Sequence, residues 1–174
     1  MSKTRIPAAA LVLSASELIG LAVHEGYSDR PIIPVPGDVW TLGFGATEGV
    51  KPGDKTTPVR ALVRLGADVG KYEARLRECL GPVPMFQREW DAYVSLAYNV
   101  GAFAVCDSSI KPKLQAGQYE AACKTILDFD KVRDRSKPKV LNKRTGKMEY
   151  PLVPLRGLTI RRQAEYRQCI WKTP

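Results

Sequence analysis

Glu25, Asp38 and Thr41 are the residues whose types and spacing suggest chemistry. Glu25 closes an apolar run (Leu18, Ile19, Leu21, Ala22, Val23) with helical spacing, and Gly26 stands directly behind it as a C-cap signal. A carboxylate at the apolar end of a helix is partly desolvated, which raises its pKa towards general-acid duty. Asp38 falls in a Pro36-Gly37-Asp38 turn between Ile32–Val35 and Val39–Phe44, the pattern of a β-hairpin, and Thr41 lies on the second strand. A helix-end acid beside a hairpin bearing a carboxylate and a hydroxyl suits cleavage of a glycosidic bond. One carboxyl protonates the leaving oxygen while the other supports positive charge or orients water. Plainer roles stand beside these: Asp38 as a turn residue satisfying backbone amides, Thr41 as a strand former.

Several elements must position these groups. Ser14 or Ser16 caps the first helix. Thr57-Pro58 opens a long one, with Ala61, Leu62, Leu65, Val69, Tyr72 and Leu76 at helical spacing as far as Glu78. Gly81-Pro82-Val83-Pro84 breaks it. Phe86 to Val100 reads as a core helix through Trp90, Tyr93, Val94, Leu96 and Ala97. A short helix follows from Ser108-Ser109-Ile110 to Ala116-Gly117, then others over Gln118–Phe129 and Leu158–Trp171. Residues 130–156 are rich in Lys and Arg, with a hairpin turn at Arg144-Thr145-Gly146-Lys147. Such a run is either a solvated face or an attraction to anionic wall polymer or phospholipid headgroups.

A length of 174 residues suits one domain, or two lobes sharing a long helix. The net charge of +9 implies an anionic partner. No zinc-finger, recognition-helix or ribonucleoprotein motif accompanies it, so nucleic acid is not the expected partner. The lone histidine, His24, removes histidine triads and most metal sites, and neither metal nor cofactor is expected. Four dispersed cysteines (Cys79, Cys106, Cys123, Cys169) lack any Cys-x-x-Cys pair, which fits two disulfides or four buried thiols. At the start, Lys3 and Arg5 precede an apolar stretch, Pro7 to Val23, whose only charge is Glu17. That pattern resembles a signal sequence but is weak for a permanent membrane span. It equally describes an amphipathic helix packed into the fold.

Glu25-Gly26, Trp40-Thr41-Leu42-Gly43-Phe44-Gly45 and Tyr98-Asn99-Val100-Gly101 resemble the phage-type lysozymes, the endolysins that hydrolyse peptidoglycan. Gly49-Val50-Lys51-Pro52-Gly53, Glu120-Ala121-Ala122-Cys123 and Gly157-Leu158-Thr159-Ile160-Arg161-Arg162 follow in the same order, so the likeness spans about residues 16–172. It implies a mainly α, α+β lysozyme-like fold. A small lobe would carry the β-hairpin, a long helix would connect it to a larger all-helical lobe, and the glycan strand would lie between. Residues 1–23 would be an N-terminal segment, in some such endolysins a signal-arrest-release anchor, and 24–174 the catalytic domain. Glu25 would then protonate the oxygen between N-acetylmuramic acid and N-acetylglucosamine, with Thr41 holding water. Thr47, Tyr98 and Ser109 would contact substrate, although helix capping explains Ser109 as well. In one respect the chain departs from the family: the aspartate or cysteine usual six residues before the threonine is Val35 here. Asp38 is the preferred second acid and Asp29 the alternative. The resemblance also implies a monomer exported to the host periplasm, through a transient inner-membrane-anchored form if the segment inserts. An oxidising compartment favours disulfides, with Cys106–Cys123 across a short helical hairpin and Cys79–Cys169 as the expected pairs. A non-catalytic wall binder and a basic membrane-perturbing protein are the rival readings.

Overall fold

A computed structural model describes residues 4–34, 37–143 and 145–170. Readings that fall on Lys3, Val35, Pro36, Arg144 and Trp171 lie outside them. The chain begins with β1 (Ile6–Pro7), a 3-10 turn (Ala8–Ala10) and α1 (Ala15–Glu25), then β2 (Ser28–Ile32) and β3 (Thr41–Gly43). The long helix α2 (Pro58–Leu80) leads through β4 (Pro84–Met85) to α3 (Gln87–Val100), α4 (Ala102–Cys106), α5 (Ile110–Gln115) and α6 (Tyr119–Thr125). A 3-10 turn (Ile126–Phe129), β5 (Lys131–Arg133), β6 (Val140–Asn142), β7 (Lys147–Glu149), β8 (Leu152–Pro154) and α7 (Arg156–Ile170) complete it. This is the expected mainly α architecture: a hairpin lobe, a long connecting helix and a larger helical lobe. The larger lobe also carries strand pairs that the all-helical expectation left out, β1–β4 and β5–β8, while β6–β7 is the hairpin that the turn ending at Lys147 announced; all three are antiparallel.

Local chemistry accounts for the boundaries. Ser14 caps α1 by accepting the Glu17 N–H at 3.2 Å, and Thr57 caps α2 by accepting the Arg60 N–H at 3.4 Å with Pro58 behind it. Gly26 and Gly81, both at φ +71°, turn the chain out of α1 and α2. α3 is the centre of the core, with Trp90, Tyr93, Leu96 and Ala97 wholly buried.

The N-terminal apolar stretch shares that core. Ala8 and Leu11 are buried, as is Leu21 of α1. Because residues 11–14 form no helix or strand, their backbone amides need other partners, and buried carboxylates supply two of them. Glu73 accepts the Leu13 N–H at 2.8 Å and Asp91 the Ser14 N–H at 3.0 Å. Glu89 takes both Nε and Nη2 of Arg5, at 3.1 and 2.8 Å. Among the described residues no helix is long and apolar enough to cross a membrane.

Two expectations are corrected. The hairpin's first strand is Ser28–Ile32, not Ile32–Val35; it pairs Ser28 with Gly43 and Ile32 with Thr41. Pro34 has no N–H for a ladder, and pairing stops at Ile32. The disulfides are Cys79–Cys106 and Cys123–Cys169, with Cα separations of 5.9 and 5.7 Å, not Cys106–Cys123 and Cys79–Cys169. The unanticipated helix α4 is the reason: it turns back at Gly101 to lay Cys106 against the end of α2. Cys123 on α6 is thereby left facing Cys169 at the end of α7.

Candidate active site

Glu25 is the last residue of α1, and three neighbours fix its surroundings. Gly26 ends the helix, its N–H bonding to Ala22 O at 3.2 Å. The chain then passes through β2 and β3, and the turn after β3 comes back onto the acid. A Cβ built on Gly45 would lie 3.2 Å from Glu25 Oε2 and 3.7 Å from its Cβ and Cγ; Gly45 is also at φ +83°. Only glycine combines that backbone with that approach. On the other side Arg161 of α7 places Nη1 3.5 Å from Glu25 Oε1, with side chains 12% and 26% exposed respectively.

The hairpin owes its position to α2. Leu42 and Ala46 exchange backbone bonds at 2.9 and 3.0 Å, which closes the turn carrying Gly45. Gly43, at φ +66°, abuts Ala61, where an added Cβ would come within 2.8 Å of the alanine methyl. Phe44 packs on Tyr27 with ring centres 5.3 Å apart. Thr41 opens β3 on this same hairpin, its hydroxyl donating to Val39 O at 3.3 Å.

Arg161 is held by a buried network linking α3 and α7. Glu165 Oε1 accepts Arg161 Nε at 3.3 Å, Arg162 Nη2 at 2.7 Å and Ser95 Oγ at 3.1 Å. Arg162, fully buried, also donates from Nη1 to Asn99 Oδ1 at 2.9 Å. Such a network fixes a side chain because every alternative leaves a buried charge unpaired. Tyr98, next to Asn99, stands edge-on to Tyr72 at 5.3 Å. Burial, and after it the charge of Glu25, pushes the Tyr98 hydroxyl up to about 12.

The other sequence-identified residues are placed as follows. Asp38 is exposed, and its Oδ1 accepts the adjacent Val39 N–H at 2.8 Å, a turn contact. Asp29, read from sequence as a loop residue, belongs to β2, and its carbonyl accepts the Thr56 N–H at 3.1 Å. From Ser28 to Ile32 is four steps, matched by only two from Gly43 to Thr41, so residues 29–31 sit in a bulge without regular alternation. Thr47 is exposed, its carbonyl accepting the Val50 N–H. Ser109 lies 3.4 Å from Thr125 Oγ1, while Ser108 does the capping, accepting the Ile110 N–H at 3.1 Å. The structure thus brings Glu25 and the Thr41 hairpin together through Gly45, and it adds Arg161. Gly45 and Arg161 lay in motifs already noticed, the glycine-rich hairpin and the Arg161-Arg162 doublet, but neither had been given a role.

Comparison with known proteins gives a consistent result. The family model described as phage lysozyme matches residues 22–165. An endolysin of Acyrthosiphon pisum secondary endosymbiont phage 1 is 36% identical over 126 residues, covering 72% of this chain and 76% of that protein. A SAR-endolysin of Pseudomonas phage phiKMV is 29% identical over 162 residues, covering 93% and 89%. The solved structure of an endolysin from Escherichia coli O157:H7 phage FAHEc1 superposes with a TM-score of 0.76 at 28% identity, over 92% of this chain and 94% of that one.

Proposed function

The chain belongs to the phage lysozyme family, and from that premise we propose that Glu25 is the general acid of an endolysin. The protein is a glycoside hydrolase that cleaves bacterial peptidoglycan in host lysis. The bond cut is the β-1,4 link between N-acetylmuramic acid and N-acetylglucosamine. One observation carries the assignment: the Glu25 carboxylate is fixed between Gly45 and Arg161 yet remains partly open to a ligand. Glu25 protonates the leaving oxygen, and the Arg161 guanidinium stabilises the carboxylate left behind. Thr41 orients water from the hairpin, and Tyr98, Thr47 and Ser109 line the path of the glycan. Mass spectrometry of digested peptidoglycan tests the reaction. Reducing-end muramic acid is expected; anhydro-muramic ends would mean a lytic transglycosylase, and no products a wall binder.

The second acid is assigned to Asp38 because it lies on the loop that carries the chain into Thr41 and its carboxylate is exposed. If it stabilises positive charge at the sugar carbon, Asp38→Asn slows hydrolysis about thirtyfold or more, the range for preorganised electrostatic groups. Asp29→Asn stays near the parent. The reverse ranking in a turbidity assay moves the role to Asp29, and two near-neutral variants leave the work to Glu25 and a Thr41-held water.

The SAR-endolysin relative supports export to the periplasm. The finer step is that residues up to about Val23 first take the chain to the inner membrane, by way of two cations ahead of an apolar run. In this reading the segment leaves the bilayer to reach the packed form, in which Ala8, Leu11 and Leu21 are buried. Fractionation of expressing cells is expected to find part of the protein in the membrane pellet; exclusively cytosolic protein would remove the anchor.

A further inference from the structure

The stretch between the second 3-10 turn and α7 folds as a two-faced arm. Residues 130–156 hold nine Lys and Arg against three carboxylates, and so supply six of the chain's nine net positive charges. All three carboxylates are already engaged: Asp130 with Lys131 at 2.8 Å, Asp134 with Lys137 at 3.6 Å, and Glu149 with Arg133 at 2.8 Å. Arg135, Lys139, Lys143 and Lys147 have no ion pair among the described residues, and all four are exposed.

Register separates the faces. Val140 is opposite Glu149, Leu141 opposite Met148, and Asn142 opposite Lys147. Residues directly opposite share a face, and successive residues alternate. Glu149 gathers Arg133, Asn142 at 3.0 Å and Thr145 at 3.2 Å, so this side, Val140 apart, is polar and tied together. The reverse side presents Leu141 and Met148 as a cross-strand pair, 61% and 57% exposed. Two large apolar side chains are thus left open to solvent, with the exposed Lys139 and Lys143 two residues away on either side of Leu141.

We propose that this arm docks the enzyme on an anionic phospholipid bilayer, with Leu141 and Met148 entering the acyl boundary and Lys139 and Lys143 lying among the headgroups. Charge complementarity selects the partner. A wall polymer or a nucleic acid offers anions but no apolar phase for the leucine–methionine pair. A protein partner needs on the order of 800 Å² per side, whereas the apolar part of this face is a single cross-strand pair. A lipid interface uses both features at once, because lysines reach outward along their aliphatic stems while apolar tips sink.

The test is co-sedimentation of the full chain with vesicles of mixed phosphatidylglycerol and phosphatidylcholine, and with phosphatidylcholine alone. The parent is expected to bind only the anionic vesicles. The double variant Leu141→Asn/Met148→Asn is expected to bind about tenfold more weakly, and so is Lys139→Gln/Lys143→Gln. Both should hydrolyse purified sacculi at the parent rate, which shows that they are folded and separates this inference from the catalytic reading. Parent-like vesicle binding by either variant overturns the proposal, as does a parent that ignores anionic vesicles or binds both kinds equally.

Discussion

Glu25→Gln is expected to lower the rate of peptidoglycan hydrolysis by at least about a hundredfold, the usual minimum for a lost general acid. The substitution keeps the shape that fits beneath Gly45 and removes only the transferable proton. Stability should hardly change. The ion pair lost with Arg161 is partly exposed, and such pairs contribute about 1 kcal/mol at most. A carboxylate at a helix C-terminus is moreover disfavoured by the helix dipole. Arg161 retains Glu165, so no buried charge is orphaned. Turbidity clearance on permeabilised cells, with a melting curve alongside, decides the matter. More than about a tenth of the parent activity in a folded variant would sink the assignment.

Removing the disulfides should produce the largest loss of stability. Their sequence separations are 27 and 46 residues, and chain-entropy arguments give about 3.5 and 4 kcal/mol for loops of those sizes. Whole domains are typically stable by only about 5–15 kcal/mol, so losing both would bring the fold close to its limit. Urea unfolding of Cys79→Ala/Cys106→Ala and of Cys123→Ala/Cys169→Ala should show a lower midpoint for each, with the second pair lower. Midpoints unchanged from the parent would mean that packing alone holds these elements. A non-reduced peptide map should recover the 79–106 and 123–169 links.

How much could be read beforehand depended on the range of each signal. The cap at Thr57, the stop at Gly26 and the apolar stripe of α3 are local and were legible, and the first cap was narrowed to Ser14 or Ser16, of which Ser14 does the capping. Cysteine pairing is not local. It turned on α4, five residues long and too short to show a period, which redirects the chain towards α2. The hairpin register failed where two-residue alternation meets a bulge. Glu25 stood out because its context is contiguous: an apolar helix followed by glycine. Arg161 did not, because its meaning lies in a contact with a residue far earlier in the chain and in a network through Glu165, Ser95 and Asn99. The carboxylates that clamp residues 11–14 were hidden for the same reason: Glu73 and Asp91 lie on helix faces that only the folded chain reveals as buried.

The contact between residues 25 and 161 also bears on the order of synthesis. A ribosome releases Glu25 early, but the arginine that meets it belongs to the last helix, and the disulfide that staples that helix closes at Cys169. No nascent chain can therefore present the acid in its finished surroundings until residues 161 and 169 have been made. Products of premature termination would carry the acid without its opposing charge. The pairing of Glu25 with Arg161 thus forms only in chains that extend through α7.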